Sequence, residues 1–411
     1  MLENDSTYYI KRIKLINVRC FRKLDLNILG NSSTPRMRTV MIGKNGTCKS
    51  TVLRCIALGL CDRSDADSLL SEPFGLIVTE GCKSAEIIID ISEKTRPKET
   101  FTLKTIIERA GGKEVIEKKL GSSMFYPIFV GGYGAARATD GQDEFRDYRT
   151  LDSVYTLFQY QSDLIGPELI MRRLEDFLGD DNYNKTMSGI KRALGLSPRD
   201  HIRVKKGGGV EIVGPSSGKG PIPLEGWADG YRITFNWILD LYSWAMKAEK
   251  VTSSGGISGI VLLDEIEQHL HPSMQTTMLN NFSKLFPQIQ LITTTHSPLV
   301  TLGAKAEEIV VFRKKQKWVY ADEDIPDLSG YSAEDVILDK RLFNTPIFPV
   351  KTESILKQYN SLYNIDQSKR TEKQKETLKK LSNKLITQQS IGKSETPLSR
   401  ELNKLKIKYN L

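Results

Sequence analysis

Gly43-Lys44-Asn45-Gly46-Thr47-Cys48-Lys49-Ser50-Thr51 is the stretch that decides the fold. The apolar run Thr39-Val40-Met41-Ile42 before it reads as a buried strand, and Lys49 to about Leu60 reads as a helix. A glycine-rich turn between a strand and a helix lets backbone N–H groups wrap a phosphate that the helix N-terminus faces. Gly43, Asn45, Gly46, Thr47, Cys48, Lys49, Ser50 and Thr51 are therefore the candidate phosphate-binding residues. Lys49 has the charge and length to meet β- and γ-phosphates, and the Ser50 hydroxyl suits Mg²⁺, a hard cation that takes oxygen donors. One position departs from the usual phosphate-binding loop (P-loop). The residue before the lysine is Cys48 in place of glycine, and its Cβ crowds the turn if the backbone there is left-handed. The structural alternative is an ordinary glycine-rich connection.

Downstream, Gly259-Ile260-Val261-Leu262-Leu263 is the most apolar strand of the chain and ends in Asp264-Glu265. Carboxylates at the carboxyl end of a buried strand stand where α/β folds bind ligands. Asp264 is the candidate Mg²⁺ ligand with Ser50, and Glu265 the candidate general base for water; the structural alternative is a helix N-cap. About 30 residues later, Leu291-Ile292-Thr293-Thr294-Thr295-His296-Ser297-Pro298 reads as a β-branched strand ending in a histidine. A parallel neighbour of the acidic strand presents His296 to the γ-phosphate as a second catalytic or sensing residue. A histidine at a strand end is also a common structural hydrogen-bonding group.

These three segments, in this order, resemble the ABC-type AAA ATPases of the SMC, RecF and OLD group. The resemblance implies an α/β P-loop NTPase fold of ABC type, with ATP and Mg²⁺ as ligands. It also implies a signature loop that meets the γ-phosphate held by a second copy. The matching segment is Trp227-Ala228-Asp229-Gly230-Tyr231-Arg232, so Asp229 and Gly230 join the nucleotide-binding candidates. His269-Leu270-His271-Pro272 stands where the family's D-loop makes a subunit contact. The Q-loop is poorly matched: Gln142 and Gln159 are both displaced from its place after the expected strand Phe125–Val130, and Arg137 is an alternative phosphate or carboxylate partner.

About 215 residues separate Lys49 from Asp264 without heptads, so long coiled-coil arms are absent. GGYGAAR, TLFQYQSDLIGPELIMRRLEDF and WADGYR ahead of the acidic strand are similar to the PtuA family, the ATPase subunits of Septu-type and retron-associated antiphage systems. That likeness spans roughly residues 10 to 340. It implies an HNH nuclease as a partner subunit and, in a retron, a reverse transcriptase with its non-coding RNA or DNA. A self-sufficient RecF-like repair or recombination ATPase acting directly on DNA is the alternative.

The expected organisation is an ATPase domain over 1–340, with a helical second lobe at about 140–200, and a basic helical tail over 341–411. Of the formal charge of +9, the tail carries +8, with 14 Lys or Arg against 6 Asp or Glu from Lys351 onward. The tail reads as a solvated helical hairpin, a docking site for a partner, or a contact for nucleic-acid phosphates. Asp322-Glu323-Asp324 reads as a solvated loop. No apolar run approaches the roughly 20 residues of a membrane span. The opening MLENDSTYYIKRIK lacks the apolar stretch of a signal peptide, and the five cysteines are odd in number with no C-x-x-C spacing. A cytoplasmic protein with reduced thiols is the expectation.

Overall fold

The alternating run YIKRIKLINV and its continuation FRKLDLN form β1 (Tyr8–Val18) and β2 (Phe21–Asn27), antiparallel with Val18 opposite Phe21. The computed structural model describes residues 7–30, 34–121, 128–135, 138–141, 148–159, 163–218 and 220–389. After β2 come β3 (Arg38–Gly43), α1 (Lys49–Leu60), α2 (Arg63–Leu70), β4 (Ser84–Glu93), β5 (Arg96–Ala110) and β6 (Lys113–Leu120). The turn between β5 and β6 is Gly111-Gly112, both left-handed at φ 58° and 81°, as a tight hairpin requires. These strands make a five-stranded antiparallel sheet in the order β2-β1-β4-β5-β6.

The chain then runs through β7 (Val130–Tyr133), β8 (Ala138–Gly141), α3 (Thr150–Val154), β9 (Asp163–Ile165), α4 (Pro167–Ala193), β10 (His201–Val204), β11 (Val210–Val213) and β12 (Ile222–Pro223). It continues with α5 (Asp229–Lys247), β13 (Ser258–Leu263), α6 (Pro272–Leu285), β14 (Gln288–Thr295), α7 (Pro298–Leu302), β15 (Ile309–Lys315), β16 (Trp318–Asp322) and α8 (Ala333–Leu338). The central sheet has the order β16-β15-β3-β14-β13-β7, parallel except for the β15–β16 hairpin at one edge. Alternate residues of one strand feed two cores. Val40 and Ile42 enter the core shared with α4, α5 and α6, while Met41 enters the one shared with α1 and the antiparallel sheet.

Three local readings change. The expected strand at Phe125–Val130 pairs instead as Val130–Tyr133, and residues 122–127 lie outside the described residues. Gly131 and Gly132 look like a turn by propensity, yet they lie within a strand packed too tightly for a side chain. An added Cβ would meet Leu241 Cδ1 at 2.8 Å and Leu157 Cδ1 at 2.7 Å respectively. The region expected to be helical at about 140–200 contains the parallel pair β8–β9, and α4 is interrupted where Gly179 adopts φ 70°, ψ 163°. Nor is Asp322-Glu323-Asp324 simply solvated: Asp322 pairs with Arg313 at 2.8 Å and Glu323 with Arg36 at 3.5 Å.

The described chain divides into two compact units, residues 1–343 and 344–411. In the second, α9 (Val350–Tyr363) and α10 (Glu372–Gln389) form a hairpin around Tyr359, Leu381 and Leu385. Among the described residues no helix is long and apolar enough to cross a membrane.

Candidate nucleotide site

Strand β3 ends at Gly43, whose φ is 153° and whose added Cβ would lie 2.6 Å from the Phe312 carbonyl oxygen on β15. The neighbouring strand thus excludes any side chain there. Gly46 is left-handed at φ 77°. Thr47 closes the loop by donating its hydroxyl to the Lys44 carbonyl at 2.8 Å. Cys48 is the N-cap of α1 at φ 60°, ψ 27°, so the position where glycine is usual does adopt the left-handed conformation that glycine favours.

Lys49 is buried, and its ammonium donates to the carbonyls of Gly43 at 2.8 Å and Lys44 at 3.4 Å. Burial pushes its pKa down to about 8, against the opposing pull of Asp264, Glu265 and Glu267. A buried cation folded onto its own loop fits an anionic ligand, because phosphate oxygens would replace weak carbonyl acceptors with full charges. Ser50 follows as the next residue of α1, half-buried at the mouth of the loop.

The acidic strand lies two places along the sheet. Asp264 follows β13, with its N–H bound to the Tyr133 carbonyl at 2.8 Å. Thr294 of the adjacent β14 organises both carboxylate residues: its hydroxyl donates to Asp264 Oδ1 and accepts the Glu265 N–H at 2.8 Å. Glu265 has φ 49° and His269 φ 64°, so the turn leaving β13 carries two non-glycine residues in the left-handed region. Such conformations cost free energy and concentrate where a side chain must be aimed.

His296 follows β14 and is half-buried. Its backbone N–H donates to Glu267 Oε1 at 2.6 Å, and Thr295 donates its hydroxyl to Glu267 Oε2 at 2.7 Å. Burial lowers the imidazole pKa, as does the Lys49 charge, while Glu267 and Asp264 oppose the shift. These electrostatic couplings tie Lys49, Asp264, Glu267 and His296 into one neighbourhood at the carboxyl ends of β3, β14 and β13. Sequence reasoning did not single out Glu267. Its signal was the pair Thr295 and His296, a hydroxyl and a backbone N–H at a strand end that both need an acceptor.

Asp229 and Gly230 are placed differently. Asp229 begins α5 and pairs with Arg232 at 2.8 Å, and Gly230 lies on the turn after the acidic strand. An added Cβ at Gly230 would be 2.4 Å from the His269 carbonyl oxygen. His271 caps α6 by accepting the Ser273 N–H at 3.3 Å, so the 269–272 segment is a capped turn ending in Pro272. Gln159 donates to Glu72 at 3.0 Å, which Tyr155 also meets at 2.9 Å; Arg137 and Gln142 lie outside the described residues.

Among the described residues no group of three or more His, Cys, Asp or Glu could hold a metal on its own. Ser50 and Asp264 are nonetheless the donor types Mg²⁺ takes when a phosphate supplies its other oxygens.

The cysteines correct the expectation of free thiols, since Cys20 of the β1–β2 turn and Cys48 of the loop form a disulfide. Spacing along the sequence concealed it, because folding brings together two turns that are 28 residues apart.

Residues 144–302 match the family described as "AAA domain, putative AbiEii toxin, Type IV TA system". The chain is 24% identical to the Septu protein PtuA of Bacillus mycoides (strain KBAB4) over 388 residues, covering 93% of this chain and 51% of that protein. Over 107 residues it is 36% identical to the "Retron Vc95 probable ATPase" of Vibrio cholerae serotype O1 biovar El Tor, covering 25% of this chain and 20% of that one. The chain thus spans about half or less of the length of these relatives. Among solved structures, the SMC head domain from Thermotoga maritima aligns with a TM-score of 0.43 at 13% identity, covering 76% of this chain and 98% of that one. With its glycine-rich loop between β3 and α1 and the acidic end of β13, this chain is similar to the ATPases of PtuA type, a likeness that runs along nearly all of its length.

Proposed function

We propose that this chain binds ATP with Mg²⁺ on the Gly43–Thr51 loop and hydrolyses it, as the ATPase subunit of an antiphage defence complex whose HNH nuclease partner responds to nucleotide state. The observation that carries the reading is the convergence of a buried lysine, a carboxylate pair and a histidine at the ends of three adjacent parallel strands. Lys49 and the loop N–H groups hold the phosphates. Ser50 and Asp264 are the residues that would hold Mg²⁺, which supplies charge neutralisation on the phosphate oxygens when bound. Glu265 takes the proton of the attacking water, oriented by the Thr294 hydroxyl at its backbone N–H. His296, held by Glu267, stands at the γ-phosphate end as a sensor of its presence.

In this reading the site is completed by a second copy. The N-terminus of α5 lies on the His269–Leu270 turn of its own chain, and its N–H groups serve the γ-phosphate bound by the partner copy. The names of the relatives, a Septu protein and a retron ATPase, support the defence context. Steady-state phosphate release with Mg²⁺ tests the reading. We expect Glu265→Gln to lower the rate about 10²- to 10⁴-fold while ATP binding persists; parental turnover in that variant would remove Glu265 as the base.

A further inference from the structure

We propose that Cys20 and Cys48 form a thiol–disulfide modification site that sets the affinity of the loop for nucleotide. The inference rests on the nucleotide-binding reading of that loop and adds a chemical control to it. Cys48 immediately precedes Lys49, and the disulfide joins it to Cys20, with Cα atoms 6.8 Å apart. Cys20 is fixed to rigid structure on two sides. It lies in the tight β1–β2 turn, and its carbonyl accepts the Val319 N–H of β16 at 2.9 Å. The same turn holds α1 a second time, where Arg19 donates to the Thr51 hydroxyl at 3.1 Å.

The backbone of Cys48 explains why a covalent tie matters. A residue with a Cβ in the left-handed region is strained, and nothing in its own side chain caps the helix there. The bond to an anchored turn holds Cys48 by its sulfur in the left-handed conformation from which α1 starts. In the dithiol form that restraint is gone, and the loop can leave the strained conformation when no phosphate is bound. The disulfide form is therefore the pre-organised, tighter-binding form.

Of the three remaining cysteines, Cys82 is half-buried and has no disulfide partner, and the other two do not compete. Cys55 and Cys61 are buried, and burial pushes both thiols up to about 12, which starves them of the reactive thiolate. Cys20 and Cys48 are each half-buried and reachable. The co-reactant is a low-molecular-weight disulfide. One protein thiolate attacks it, forming a mixed disulfide and releasing one small thiol. The second protein thiolate then displaces the other small thiol. The protein loses two electrons and two protons, and the two released thiols carry them.

The test equilibrates the full chain in oxidised or reduced glutathione, maps cysteine pairing by non-reducing peptide mass analysis, and titrates ATP into each form. We expect one peptide pair linking Cys20 to Cys48 in the oxidised sample. We also expect ATP to bind about five-fold more tightly there than in the reduced sample, the size of effect that left-handed strain at one residue can produce. Cys20→Ser should bind like the reduced protein in both buffers. Cys48→Gly, whose residue adopts this conformation without strain, should bind tightly in both. Equal or tighter binding by the reduced protein, or oxidation that never links Cys20 to Cys48, would overturn the proposal. Failure of every form to bind ATP would instead strike the nucleotide reading itself, and the redox control with it.

Discussion

Lys49 shows how burial and charge set the behaviour of one residue. Its ordinary value of 10.5 falls to about 8 because the ammonium is desolvated, so the nucleotide-free protein begins to lose this charge near pH 8. Bound phosphate favours the charged form and raises the pKa again. ATP affinity is therefore full below about pH 8 and falls as pH rises above it, by at most tenfold per pH unit until the bound-state value is reached. Titrations from pH 7 to 9.5 check this; a flat profile would contradict a buried, titrating Lys49. Linkage to folding has its own sign. The depressed value means the unfolded chain binds more protons between about 8 and 10.5, so this residue's penalty to stability is present below pH 8 and is lifted as pH rises through that window.

Much of this was legible from residue types alone. Gly43, Gly46 and Lys49 occupy the strand-to-helix turn expected of them, and Asp264 and Glu265 follow a strand whose four preceding apolar residues announce burial. Glu267 was not legible, because its importance lies in contacts to Thr295 and His296 on another strand. The partner of Cys48 was equally hidden, since pairing depends on where two turns meet in space.

At the scale of elements, the turn after β13 is the joint of the site. Glu267 ties it to the end of β14, and Gly230 lets the start of α5 sit directly on the His269 carbonyl. We expect Glu267→Ala to cost about 2 kcal/mol of stability through two lost hydrogen bonds to a carboxylate. It should also reduce ATP hydrolysis more than ATP binding, because Lys49 and its loop remain. Denaturant unfolding alongside phosphate release checks both; an unchanged rate would show that the position of His296 does not matter to turnover. Gly230→Ala forces a Cβ to within 2.4 Å of a backbone oxygen unless α5 or the turn shifts. A loss of about 1–3 kcal/mol in unfolding free energy is expected, with hydrolysis impaired and ATP binding retained. Sequence reasoning assigned Gly230 to donating N–H groups; its packing against His269 could not be seen without the fold. The same holds for β7, where glycines that look like a turn form a strand because helices crowd both of its faces.

For the whole molecule, alternate residues of single strands feed the two cores on either side of the central sheet, whereas the α/β class was legible from the order of a glycine-rich strand-to-helix turn, an apolar strand ending in carboxylates and a strand ending in histidine. Residues 344–411 make a separate compact unit, whose basic composition reads first as a solvated face and leaves partner docking and nucleic-acid contact open. If two copies share each ATP, specific activity should rise with protein concentration. Mixing Gly230→Trp with Lys49→Ala should then leave at most one working composite site per pair. Concentration-independent turnover by a strict monomer would end that part of the account.

The central claim is that Lys49 and its loop hold nucleotide at the ends of β3, β14 and β13. Calorimetric titration of ATP with Mg²⁺ into the parental chain and into Lys49→Ala tests it most directly. Saturable binding of one nucleotide per parental chain, absent from a folded Lys49→Ala variant, is the predicted result; equal affinity in the two proteins would contradict it.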